Sequence, residues 1–354
     1  MRTPCTVIDV IVRGESSVDW NVIASWLAAK DIALGQITDV EQIGGGTQNL
    51  MFAFQCGDVR LVLRRGPEHL RPHTNNALRR EARVLNALAE TDVPIPRLVA
   101  AEHDESVLGS VFYVMEQVDG FNASLGLPSL HQSDAKMQRA MGFQTIDALV
   151  ALGAVDAERV GLGDIGSPEG FLERQVSQWL STLENYATVE GYPGHQLPNV
   201  DDLGDWLTRH RPPSFEPGIM HGDFHLANLM FDNNGPTVAA VVDWEMCTLG
   251  DPLLDLGWLL ATWPQDGAFG AFGVMADLPT RNELIEHYAA TTTRRSPEHA
   301  RWYAVMASFK LAVMLEGTNA RAHAGKAPKA TGDLLHATAV RLLTNATVFI
   351  EKGL

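Results

Sequence analysis

The sequence predicts an α+β fold in two unequal parts, a small β-rich part followed by a larger, mainly helical one. Three observations point there. β-like runs separated by turn residues crowd the start of the chain, helical periodicity takes over from about Leu130, and a strand-rich island at 218–245 breaks into the helices. At 354 residues the chain is long enough for two lobes with an ample buried core.

Val18, Val22, Ile23, Trp26 and Leu27 recur at helical spacing and predict a short leading helix. Strands follow at Gln36–Ile43, Leu50–Gln55 and Val59–Arg65, separated by the turn-forming runs Gly44-Gly45-Gly46 and Cys56-Gly57-Asp58. Leu78, Ala82, Leu85 and Leu88 mark a helix over Asn75–Glu90. Pro94 and Pro96 then break the chain before strands at Arg97–Glu102 and Val111–Val118. Helices are predicted at 134–153, 170–187, 200–210, 251–263, 280–292, 297–323 and 331–351. The change of pattern falls near Asp119-Gly120, so the expected domains are 1–118 and 119–354.

Composition narrows the partners. With 27 basic against 43 acidic residues, the formal charge of −16 argues against nucleic acid or an anionic membrane surface, since both reward basic patches. Cys5, Cys56 and Cys247 lie far apart without a C-x-x-C spacing and suggest neither a disulfide framework nor a zinc cluster. Met1–Val12 lacks the basic start and apolar core of a signal peptide, and apolar stretches such as Leu253–Trp263 are too short to span a bilayer. The expectation is a cytoplasmic protein with no membrane partner.

The most specific feature is His221-Gly222-Asp223-Phe224-His225-Leu226-Ala227-Asn228, followed by Val241-Val242-Asp243-Trp244-Glu245. It supplies an Asp, an Asn five residues later, and a second Asp at the end of an apolar run. Phosphoryl transfer needs that set, one carboxylate to take the acceptor hydroxyl's proton and two oxygen ligands to hold magnesium on the phosphates. A solvated turn would also use Asp and Asn, but it leaves the second Asp unexplained. A metal site built from His221, Asp223 and His225 at alternate positions is a rival, though it lacks a fourth ligand.

The strand–glycine loop–strand–strand–helix order followed by H-G-D-x-H-x-x-N resembles the aminoglycoside phosphotransferase family of the protein-kinase-like fold. The run Val242-Asp243-Trp244-Glu245, with Gly250-Asp251-Pro252-Leu253-Leu254-Asp255 after it, resembles the branch that includes kinase-like domains fused to some acyl-CoA dehydrogenases. The resemblance implies a bilobal fold, with a nucleotide-binding lobe at 1–118 and a lobe at 119–354 that carries the catalytic loop and the acceptor-binding helices. It also implies ATP and Mg²⁺ as cofactors, Asp223 as the catalytic base, and Asn228 and Asp243 as metal ligands. Trp244-Glu245 in place of Phe-Gly suggests that there is no protein-kinase-style activation loop. His221 is expected to brace the loop, and Asp255 to prop it from the following helix, where a carboxylate among apolar residues needs a partner. Asp251 before Pro252 reads as a helix cap.

On the nucleotide side, Gly45, Gly46 and Thr47 sit where the fold would lay a loop over the phosphates, although the spacing is not G-x-G-x-x-G and a hairpin turn would use the same residues. A kinase would carry a Lys on the third strand; this chain has Val62-Leu63-Arg64-Arg65. Strand alternation puts Val62 and Arg64 on one face and Leu61 and Leu63 on the other, so Arg64 is the expected phosphate contact, with Arg65 as the fallback. Two solvated edge-strand arginines would read the same way. Glu81, on the inward stripe of its helix, is the natural ion partner of Arg64. Backbone groups near Gln117 match the family's adenine-binding hinge.

The expected activity is O-phosphorylation of a small-molecule hydroxyl. The acceptor is either a cationic aminoglycoside-type compound or a hydroxyacyl-CoA or other metabolite alcohol. For a CoA ester the helical part offers Arg294, Arg295, Arg301, Lys310 and Arg321, whose placement the sequence leaves open. The alternative is a nucleotide-binding protein that keeps the fold without turnover.

Overall fold

The computed structural model describes residues 18–32, 35–43, 49–67, 73–264, 275 and 277–354. Gly45, Gly46 and Thr47 therefore lie outside the described residues. By contacts the chain divides into two compact units. One holds the described residues up to Gly120 together with Ala239–Glu245, and the other holds Phe121–Val238 and Met246–Leu354.

The first unit opens with α1 (Trp20–Ala29), whose N-cap Asp19 accepts the Asn21 N–H. Strands β1 (Ile37–Ile43), β2 (Leu50–Cys56) and β3 (Val59–Arg65) follow, then α2 (Thr74–Leu88), β4 (Leu98–Glu102) and β5 (Phe112–Glu116). The strands form one antiparallel sheet in the order β1-β2-β3-β5-β4. Alternation decides what each face does. Leu61 and Leu63 of β3 enter an apolar core with Phe52, Phe54, Phe112 and Val114, and α1 covers it with Trp20, Ile23, Trp26 and Leu27. Arg64 therefore faces away from that core. Register places it opposite Tyr113 of β5.

The second unit begins with β6 (Phe121–Asn122), followed by α3 (Ser129–Ser133), α4 (Ala135–Gly153), α5 (Phe171–Asn185) and α6 (Val200–Arg209). The strand-rich island resolves into β7 (Gly218–Met220), β8 (Leu229–Phe231), β9 (Val238–Val241) and β10 (Thr248–Gly250), of which β9 belongs from Ala239 onward to the first unit. β7 pairs antiparallel with β10, and β6 with β8. The remaining helices are α7 (Leu253–Thr262), α8 (Arg281–Thr291), α9 (Ala300–His323) and α10 (Lys329–Lys352). α9 is the spine of this unit, with Tyr303, Ala304, Val305, Met306, Ala307 and Phe309 all buried, and α7 and α10 pack on it. Gly257 permits the α7 approach, because a Cβ there would lie 2.3 Å from the Tyr303 carbonyl oxygen. No helix among the described residues is long and apolar enough to cross a membrane.

Candidate active site

The first unit assembles a buried ion network from β3, β5, α2 and the Asp243 segment. Arg64 is 8% exposed, and its Nε lies 3.1 Å from Glu81 Oε2. Its Nη2 donates to Asp243 Oδ1 at 3.2 Å. Tyr113, the cross-strand neighbour of Arg64, hydrogen-bonds the same Glu81 carboxylate, so one α2 side chain ties two strands together. Burial pushes the Glu81 carboxyl up to about 7, against the pull of Arg64. The charge of Arg64 is disfavoured by burial, but Glu81 and Asp243 more than offset this and hold its pKa above the usual value. Arg65 serves a different purpose. Its guanidinium donates to the carbonyls of Gly66 and Leu108.

Asp243 has a left-handed backbone, with φ of +66°, and its side chain is 37% exposed. Asp tolerates that conformation better than most residues, and its strain recurs at functional sites. Trp244 behind it is buried and donates its indole N–H to the Val241 carbonyl, closing the turn. From there the chain enters β10 and then α7. Gln117, at the end of β5, is exposed, and its N–H already donates to the Arg60 carbonyl.

In the second unit the segment from His221 to Asn228 folds around two fixed points. Asp255 of α7 is 1% exposed, and its two carboxylate oxygens accept the N–H groups of His221 at 2.6 Å and Gly222 at 2.8 Å. Burial pushes Asp255 up to about 7, opposed by those two hydrogen bonds and by Lys310. Gly222 turns the chain at φ of +88°, and a Cβ there would lie 2.5 Å from the Met246 carbonyl oxygen. His221 is fully buried, and its Nδ1 accepts the Asp223 N–H at 3.3 Å.

Asp223 then presents a carboxylate held at both ends. Oδ1 lies 3.1 Å from His225 Nε2, and Oδ2 accepts the Asn228 amide at 3.0 Å. His225 Nδ1 accepts the Ala227 N–H, so the neutral ring carries its proton on Nε2 and donates it to Asp223. Burial opposes charge on Asp223, yet His225, His221 and Asn228 together hold its pKa below the usual aspartate value. The group is a carboxylate at neutral pH. Asn228 uses its NH₂ for the Asp223 carbonyl and carboxylate, so its Oδ1 stays available as a ligand oxygen.

The rival reading of His221, Asp223 and His225 as a metal triad does not survive this geometry. Both histidines spend Nδ1 on backbone N–H groups, and among the described residues no cluster of three His, Cys, Asp or Glu could hold a metal. Asp251 does cap α7, accepting the Leu253 N–H at 3.1 Å, and it also takes the Tyr303 hydroxyl at 2.5 Å. Tyr113 and the contact of His225 with Asp223 are what the structure adds to the site residues expected from the sequence. The Tyr113 signal was available in the pairing of β3 with β5, because a tyrosine in a buried strand needs an acceptor for its hydroxyl.

A buried Arg–Glu pair on a small antiparallel sheet, with a braced Asp loop on a helical unit, defines the class: a kinase-like phosphotransferase of α+β fold. The chain belongs to the phosphotransferase enzyme family, whose sequence profile matches residues 39–304. It is 30% identical to human acyl-CoA dehydrogenase family member 11 over 80% of this chain and 36% of that protein. Mouse acyl-CoA dehydrogenase family member 10 is 28% identical over 82% of this chain and 27% of its own length. The chain thus spans only about a quarter to two fifths of the curated relatives it matches. Among solved structures, a Ralstonia eutropha protein provisionally named an aminoglycoside phosphotransferase superposes with a TM-score of 0.77 and 30% identity, covering 93% of this chain and 98% of that one.

Proposed function

We propose that this protein uses ATP and magnesium to phosphorylate a hydroxyl group of a small molecule. The observation that carries this reading is Asp223, an ionised carboxylate fixed by His225 and Asn228 on a loop that Asp255 braces. In this reading, residues 1–118 bind the nucleotide and 119–354 supply the catalytic loop and the acceptor site, with Asp243 drawn by its contacts to the first unit.

The acceptor hydroxyl meets Asp223, which takes its proton as the new oxygen–phosphorus bond forms and the bond to the ADP oxygen breaks. Arg64, held in place by Glu81 and Tyr113, contacts the phosphates together with the loop at Gly45, Gly46 and Thr47. Groups near Gln117 position the adenine. Asn228 Oδ1 and the Asp243 carboxylate are hard oxygen donors that suit Mg²⁺. The metal, when bound, neutralises charge on the phosphates. Catalysis on this account comes from positioning and charge neutralisation, without a covalent enzyme intermediate.

The test is Mg²⁺-dependent ADP release across aminoglycosides, hydroxyacyl-CoAs, choline-like alcohols and sugars, with wild type and Asp223→Asn. Turnover that the substitution abolishes, with nucleotide binding retained, is the expected result. Turnover unchanged in the variant would sink the assignment of Asp223. The use of Arg64 in place of lysine favours one other reading, a nucleotide-binding protein without catalysis. Tight ATP binding with no release of ADP under any acceptor supports that one.

A further inference from the structure

Five basic side chains in the helical part were candidates to meet an acceptor, and the structure separates them. Arg294 donates to the carbonyls of Gly153, Glu216 and Pro217. Arg295 is held by Ser214, Arg301 reaches the Ile350 carbonyl, and Arg321 bonds Thr318 one turn away. Lys310 is different. It is half-buried on α9 and forms no hydrogen bond or ion pair with a described residue. Its ammonium lies 4.9 Å from the ring centroid of Trp258 on α7 and 5.6 Å from that of Trp179 on α5.

Two aromatic faces can hold a cation at modest cost, but they do not use its three N–H donors. The walls add more donors. Trp258 is 3% exposed, and its buried indole N–H, like that of Trp179, has no partner among the described residues. Buried donors normally find acceptors. Lys310 draws three helices to one point, and none of its N–H donors has an acceptor among the described residues. The place is also specific. Trp258 stands one helical turn beyond Asp255 on α7, the residue that fixes the catalytic loop, and the charges of Asp255 and Asp223 both act on the Lys310 ammonium.

We infer that Lys310, seated on Trp179 and Trp258, recognises an anionic oxygen group, a carboxylate or a phosphate, on the molecule whose hydroxyl Asp223 addresses. This rests on the phosphotransferase reading and chooses between the two acceptor classes left open by the sequence. A polyamine acceptor would bring like charge to Lys310, whereas an acidic alcohol would complete its hydrogen bonds.

The experiment compares four acceptors of matched chain length: a hydroxy acid, a diol monophosphate, the neutral diol and an amino alcohol. Wild type should favour one or both anionic acceptors over the neutral diol in kcat/KM by about tenfold or more, the scale of a hydrogen bond to a charged group, and should use the amino alcohol least. The acid and the phosphate separate the two sources of negative charge. Lys310→Met should bring the anion-to-neutral ratio close to one, and Lys310→Arg should keep it well above one. A purely structural lysine would lower all four acceptors together and leave the ratio intact, and that outcome overturns the proposal. So does a wild type that prefers the neutral or the amino alcohol, a comparison that needs no variant to fold. If none of the four is phosphorylated, the phosphotransferase reading is in difficulty, but calorimetric titration of the same molecules still decides this point. Binding of an anionic probe to wild type that Lys310→Met loses supports the proposal, and no binding or equal binding defeats it.

Discussion

The two units each anchor their candidate site with a buried carboxylate, and they do so in opposite ways. Glu81 in the first unit grips side chains, the Arg64 guanidinium and the Tyr113 hydroxyl. Asp255 in the second grips only main chain, the N–H groups of His221 and Gly222. Burial pushes both acids up to about 7. The difference lies in what each can lose. A side-chain grip fixes a cation that must still meet a ligand, and its strength changes with protonation. A main-chain grip fixes the path of a loop, so damage to it moves every residue that the loop carries.

The contrast can be broken first at the group the main-chain grip exists to position. Asp223→Asn should lower kcat by about a thousandfold, the range for loss of a general base, with nucleotide affinity retained in direct binding measurements. Next is the grip itself. Asp255→Ala leaves two buried N–H groups without acceptors and should cost about 3 kcal/mol in chemical denaturation, with kcat falling as well.

The side-chain grip should show itself through pH. Glu81 is raised from its ordinary value to about 7, so its contribution to stability is present at low pH and lost as pH rises through 7. Wild type measured against Glu81→Gln should therefore lose about 2 kcal/mol of relative stability between roughly pH 5 and pH 8. Nucleotide affinity should move the other way in wild type. It weakens on the acid side of 7 as Arg64 loses its charged partner, and a flat profile would remove Glu81 from that role. The smallest effect belongs to Tyr113→Phe, which deletes one hydrogen bond to Glu81 and should cost about 1 kcal/mol with a modest rise in the nucleotide KM.

Much of this was legible in the sequence, for identifiable reasons. The β3 alternation was enough to aim Arg64 away from the core, because Leu61 and Leu63 left it no other face. The helical stripe of α2 aimed Glu81. Asp255 declared that it needed a partner, since a carboxylate among Leu254, Leu256 and Leu259 cannot stand alone. The identity of that partner was not legible. Backbone N–H groups carry no side-chain signature, and the loop they belong to lies more than a helix away in sequence. Lys310 was only one of five basic residues until α5, α7 and α9 were brought together, because a cation over two indoles depends on three segments distant in the chain. The partners of His225 were not legible for a more local reason: its two nitrogens meet separate groups, and a motif shows neither.

The backbone of Asp243 bears on how this site should be probed. At φ of +66° an alanine pays for its Cβ, whereas asparagine and glycine adopt that geometry readily. An Asp243→Ala variant would therefore mix the loss of a carboxylate with a distorted turn ahead of Trp244, and its inactivity would have two explanations. Asp243→Asn keeps the turn and removes only the charge, which makes it the cleaner instrument for asking what that one carboxylate contributes.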